Sequence, residues 1–120
     1  MDTNILLDFK ERKRLISMMR GIKFKDIEID SHFYNQWGKP RHGLNLIQVE
    51  KIYTQFNKII DVFKRKDNVG FKHTFIYKLN KKKSYKLVFR LDRKPKLLLT
   101  AFYFGGNVEK RLMKGYGFKF

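Results

Sequence analysis

Apolar residues recur at helical spacing in the first half of this chain and at every second position in the second half. Ile5, Phe9, Ile16 and Met19 fall near one helical stripe. A first helix is therefore expected over about 4–20, capped by Asp2 or Thr3 and stopped by Gly21. Residues 22–29 alternate only in part and read as extended. Asp30 or Ser31 then suits the cap of a short helix, SHFYNQW, ended by Gly38 and Pro40. Asn45 followed three residues later by Gln48 resembles a capping box. Behind it Leu46, Val49, Tyr53, Phe56 and Ile60 stand three and four apart, which predicts an amphipathic helix to about Asn57.

From Ile59 the period becomes two. Phe71, Phe75, Tyr77 and Leu79 share one side of a strand, with Lys72, Thr74, Ile76 and Lys78 on the other. After the turn NKKKS, Tyr85, Leu87, Phe89 and Leu91 oppose Lys86, Val88 and Arg90. A turn at 92–95 leads to a strongly apolar strand, 96–104, covered on both faces. Short turns between successive strands predict an antiparallel meander. The fold class expected is α+β, with N-terminal helices packed on one face of a four- to five-stranded antiparallel sheet. One domain fits the length: a basic N-terminal helix (1–21), a helical part (22–58), the meander (59–104) and a tail (105–120). The apolar side of the meander should face the helices. Its other side would then be a cationic platform of Lys72, Lys78, Lys86 and Arg90, with Thr74 among them.

Charge changes the picture most. The 120 residues carry 28 Lys+Arg against 11 Asp+Glu, a formal net charge of +17. Charge of this size says little about fold and much about partners, and the commonest polyanionic partner is nucleic acid. Hydrophobic residues at 42% and aromatics at 16% are too abundant for a disordered chain. There is no cysteine, so disulfides, thiolate metal sites and thiol nucleophiles are excluded, and a reducing cytoplasmic setting fits. No apolar run approaches the ~20 residues of a membrane span. The start, MDTNILLDFKERKR, is too briefly apolar for a signal peptide.

Most catalytic signatures are missing. The sequence has no phosphate-cradling glycine loop, and its histidines, at 32, 42 and 73, lack metal-ligand spacing. No carboxylate cluster suits Mg²⁺, so neither a metal nor a cofactor is expected. What remains is imidazole, guanidinium, ammonium and hydroxyl, the set a metal-free ribonuclease uses. Such an enzyme needs a base for the ribose 2′-OH, an acid for the leaving 5′-oxygen, and cations for the charged transition state.

The run SHFYNQWGKPRHGLNLIQVEKI resembles the N-terminal half of the barnase–EndoU–colicin–RelE-like nuclease superfamily, in which a helix bears a His and an Arg or Lys follows. The run KHTFIYKLNKKKSYKLVFRLDRKPKLLLTAFYF resembles its second half, a meander whose last strand carries Ser or Thr. The resemblance spans about 22–104. It implies His32 as the helix imidazole, Arg41 as the following cation, Arg90 or Lys72 as the sheet cation, and Thr100 as the last-strand hydroxyl. Two departures stand out: Gly38-Lys39-Pro40 shortens the helix, and the basic helix at 4–20 is extra.

Each candidate also has a plainer reading. His32 can be structural among Phe33, Tyr34 and Trp37, His42 a solvated loop residue, and His73 a half-buried hydrogen-bonded one. Arg41 can be a loop charge, Arg90 and Lys72 the polar outside of a sheet, and Thr100 a β-forming core residue. Lys81, Lys82 and Lys83 suit solubility as well as a grip on RNA. Trp37 and Tyr34 are the aromatics best suited to stack on bases. The function expected is a small, toxin-like, metal-independent endoribonuclease acting on tRNA or mRNA and leaving a 2′,3′-cyclic phosphate. His32, Arg41, Arg90 and Thr100 would be its catalytic set, with Lys72, Lys78, Lys82, Lys86 and Trp37 on the strand. An acidic antitoxin or immunity protein would be its natural protein partner. The alternative is a non-catalytic RNA- or DNA-binding module or a basic subunit of a nucleoprotein assembly.

Overall fold

The structure, a computed structural model, describes residues 4–31, 33 and 44–103. The elements in chain order are β1 (Ile5–Leu6), α1 (Phe9–Arg20), β2 (Glu28–Ile29), α2 (Leu46–Tyr53), β3 (Ile59–Lys66), β4 (Phe71–Lys78), β5 (Ser84–Arg90) and β6 (Leu97–Tyr103). They form one sheet in the order β1-β3-β4-β5-β6-β2. The α+β architecture expected from the two periods is present. The sheet, however, has six strands and is mixed, because β2 runs parallel to β6. β1 falls where a helix was expected, and of the stretch 22–29 read as extended only Glu28–Ile29 forms a strand, after a 3₁₀ turn at Phe24–Asp26.

The meander itself follows the predicted parity. Phe75 lies opposite Val62 and Leu87, and Phe89 opposite Leu98, all on the side that meets the helices. There they join Leu15 and Met19 of α1 and Val49, Ile52 and Tyr53 of α2 in one buried cluster. Phe33 and Leu44 belong to the same cluster. The Tyr53 hydroxyl shares its proton between the carbonyl oxygens of Met19 and Ile22, at 2.9 and 2.7 Å. The Tyr77 hydroxyl donates to the Tyr53 carbonyl at 3.1 Å. This relay ties α1, α2 and the sheet together, and burial pushes both phenols well above their ordinary range.

The start of α1 departs from expectation. The cap is Asp8, whose carboxylate accepts the Glu11 N–H at 2.8 Å, so the helix begins at Phe9 rather than near residue 4. Before Asp8 the chain is extended and pairs with β3, with the Leu7 N–H donating to the Val62 carbonyl at 3.0 Å. Ile5 and Phe9, assigned to the helical stripe in the sequence, are consequently 59% and 67% exposed. The predicted capping box of α2 forms in full. Asn45 accepts from the Gln48 backbone, and Gln48 returns the bond to the Asn45 N–H, each at 2.9 Å. The helix ends at Tyr53, and a 3₁₀ turn at Phe56–Lys58 carries the chain into β3.

Candidate nucleic-acid interface

The face of the sheet turned away from the helices holds a cleft of about 380 Å³. It lies at the end of the meander where the β3–β4 and β5–β6 turns meet. Arg65, Lys72, Thr74, Val88, Arg90, Leu99, Thr100 and Phe102 reach it from four adjacent strands, and Asn4 and Asp30 from the two edges. Strand alternation explains why these side chains share a face: Arg65 pairs with Lys72, and Thr74 with Val88.

Thr100 is there for a different reason. Simple alternation along β6 would put it with Leu98, facing the helices. The register instead steps between Val88, opposite Thr100, and Phe89, opposite Leu98, leaving Leu99 as an extra residue. That bulge turns Thr100 to the outer face, as bulges do where a side chain must be re-aimed. Thr100 is only 8% exposed and, among the described residues, its hydroxyl has no hydrogen-bond partner. A buried hydroxyl without a partner is a cost that a bound ligand oxygen would remove.

The cations are not equivalent. Arg90 is held by Asp67 through two parallel bonds, Nη2 to Oδ2 at 2.7 Å and Nη1 to Oδ1 at 3.2 Å. The same carboxylate accepts the N–H groups of Val69 and Gly70, each at 3.0 Å, and lies 4.0 Å from the Lys72 ammonium. The Arg90 guanidinium first, and then the Val69 N–H, hold the Asp67 carboxyl far below the usual carboxylate range. Gly70 has φ +154°, a backbone conformation that strains any other residue, and a Cβ there would meet the movable Asp92 carboxylate, with Oδ2 at 2.8 Å. Arg65 is exposed and has no carboxylate partner among the described residues. Three cations thus face two carboxylates, Asp30 and Asp67, around the cleft.

Of the residues singled out in the sequence, Lys72, Arg90 and Thr100 converge on this cleft. Lys78 and Lys86 share the outer face but sit toward its other end, beside the β4–β5 turn, where both make contacts of their own. Lys82 lies in that turn: its N–H donates to the Asn80 side chain at 2.8 Å, and its carbonyl accepts the Tyr103 hydroxyl at 3.1 Å. The outer face is also less bare than a plain cationic platform, because Phe63 and Ile76 are buried on it. His73 is on the helix side, half-buried, and among the described residues its Nδ1 has no hydrogen-bond partner. Burial, and then the nearby Lys64 ammonium, push its imidazole down to about 4. His32, Tyr34, Trp37, Arg41 and His42 lie outside the described residues.

Sequence reasoning missed Arg65, Asp67 and Asp30. Extending the two-residue alternation back through β3 would have exposed Arg65. The run DNVG, with an acid opening a turn that ends in glycine, was the available signal for Asp67. Among the described residues, no helix is long and apolar enough to cross a membrane. Comparison with protein-family models, with curated proteins and with solved structures finds no match to this chain.

Proposed function

We propose that the outer-face cleft holds a phosphodiester of RNA and that the protein is a small metal-independent endoribonuclease. The observation that carries this reading is the convergence of Arg65, Lys72 and Arg90 with the unpartnered Thr100 hydroxyl in one concavity. In the reaction a base takes the 2′-OH proton, the 2′-oxygen attacks phosphorus, and the 5′-oxygen leaves with a proton from an acid. Arg65 and Lys72 neutralise the phosphate, and Thr100 donates to one of its oxygens. His32 is the imidazole assigned to proton transfer. It stands two residues beyond Asp30, which lines the cleft and whose N–H is fixed to the Leu98 carbonyl at 2.9 Å. Arg41 is assigned as a second phosphate cation, and an acidic antitoxin or immunity protein as the partner that would neutralise the site.

The test is direct. Incubated with labelled RNA in EDTA, the protein should leave 2′,3′-cyclic phosphate ends, and His32→Ala should abolish them. Intact RNA at high protein concentration would sink the cutting step. One observation favours the second reading, a non-catalytic RNA holder: Asp67 already occupies both forks of Arg90, leaving less free charge for a transition state. A 2′-deoxy strand bound as tightly as RNA, with neither strand cut, would select that reading.

A further inference from the structure

A second group of cations lies outside the cleft, along α1. Phe9 stands 67% exposed at the start of that helix, between two shallow grooves. One is lined by Lys10, Lys13, Arg14 and Ser17, the other by Arg12, Lys13, Arg20 and Asn57. Among the described residues, the two linings together hold five cations and no carboxylate. The neighbouring acids are engaged: Glu11 pairs with Arg14, Asp61 with Arg12 at 3.1 Å, and Asp8 caps the helix. The Arg12 guanidinium and Lys13 ammonium lie 5.5 and 6.0 Å from the centre of the Phe9 ring. At the far end of the second groove, Arg20 lies 5.7 Å from the Phe56 ring.

We propose that this face of α1 is a docking strip for single-stranded nucleic acid, with Phe9 stacking on a base and Lys10, Lys13 and Arg20 gripping phosphates on either side. The strip lies outside the cleft and does not depend on whether the cleft cuts. Charge complementarity selects a polyanion, since nothing acidic lines either groove to oppose one. An exposed ring interleaved with cations selects a strand with open bases over a duplex, whose bases are already stacked on one another. A basic helix can also lie on an anionic membrane, but that requires an apolar face to insert. The apolar face of α1 is spent on the protein core, where Leu15 and Met19 are buried.

The experiment uses fluorescence anisotropy with a long 2′-deoxy strand, which a 2′-OH-dependent nuclease cannot consume, so its outcome is separate from that of the cutting reaction. Phe9→Ala should weaken single-strand binding about tenfold while leaving duplex binding and the melting temperature unchanged. Lys10→Gln with Lys13→Gln should flatten the slope of log K against log salt by about 1.4, two phosphates at about 0.7 each. The parallel variants Arg65→Gln and Lys72→Gln report on the cleft alone. Wild-type affinity and slope in the α1 variants would overturn the strip. So would equal losses on single strand and duplex, or a loss confined to binding of phosphatidylserine vesicles.

Discussion

The two faces of this sheet are built from the same strands at alternating positions, yet they do opposite work. On the helix side Phe75, Leu87, Phe89 and Leu98 are fully or almost fully buried, and burial holds the His73 imidazole below its ordinary range. On the outer side buried Phe63 and Ile76 sit beside a cleft of arginine, lysine, aspartate and an unsatisfied hydroxyl. The first face gains stability from burial, roughly in proportion to the apolar area removed from water. The second gathers charged and polar groups in a concavity, where the Thr100 hydroxyl is left without a partner among the described residues.

Substitutions should separate the faces cleanly. Phe89 packs edge-on against Phe75 at 5.6 Å and lies 6.0 Å from Tyr53. Phe89→Ala should cost about 3–5 kcal/mol of stability, read as a drop in the denaturant midpoint. Thr100→Val, nearly the same shape on the other face, removes a buried hydroxyl that has no partner among the described residues. It should leave stability unchanged or raise it by about 1 kcal/mol, while weakening oligonucleotide binding in the cleft. If Thr100→Val instead destabilised the protein and left binding alone, the hydroxyl would be part of the fold and the contrast between faces would fail.

Asp67 is where the comparison can be sharpened. It belongs to the outer face and satisfies Arg90, so it takes positive charge away from the cleft. Asp67→Asn keeps an oxygen for the Val69 and Gly70 N–H groups but removes the anion. Oligonucleotide affinity should rise severalfold at low salt, and its salt dependence should steepen by about 0.7 as Arg90 becomes available to a phosphate. Weaker binding in this variant would mean that Asp67 acts by aiming Arg90 at the ligand, a positioning role rather than a neutralising one.

The sequence made one of these faces far more legible than the other. Inward positions such as Phe75, Tyr77, Leu87 and Phe89 declare themselves because a buried face must be apolar at every second residue. The capping box at Asn45 and Gln48 is equally local, with both partners three residues apart. The start of α1 was legible in principle, since Asp8 and Glu11 repeat that three-residue spacing; the apolar stripe through Ile5 and Phe9 pointed elsewhere. The cleft depends on what no local pattern encodes. Arg90 meets Asp67 across 23 residues of sequence, Asp30 arrives through a two-residue parallel strand, and Thr100 faces outward because Leu99 is an extra residue in its ladder. Lys72 and Arg90 could be placed on one face by parity, but their unequal freedom could not be foreseen.

The smallest expected effect concerns the half-buried imidazole of His73. His73 is opposite Lys64 and Phe89 in the sheet, and Glu11 and Arg14 of α1 and Asp92 of the β5–β6 turn also face it. Its folded-state value of about 4 lies below the ordinary 6.5, so between these two pH values the unfolded chain binds a proton that the native protein refuses. Stability therefore rises with pH across this window and is lost as pH falls from about 6.5 toward about 4. Asp67 contributes in a separate window, because a carboxyl held below its ordinary 3.8 loses its stabilisation only under more acidic conditions. Urea midpoints measured from pH 7 to pH 4 should decline in the wild type and decline less in His73→Gln, with the two proteins converging in slope above pH 7. Parallel curves throughout would show that the imidazole charges as easily in the folded protein as in the unfolded one, and that the helix side of the sheet is wetter at this point than its packing indicates.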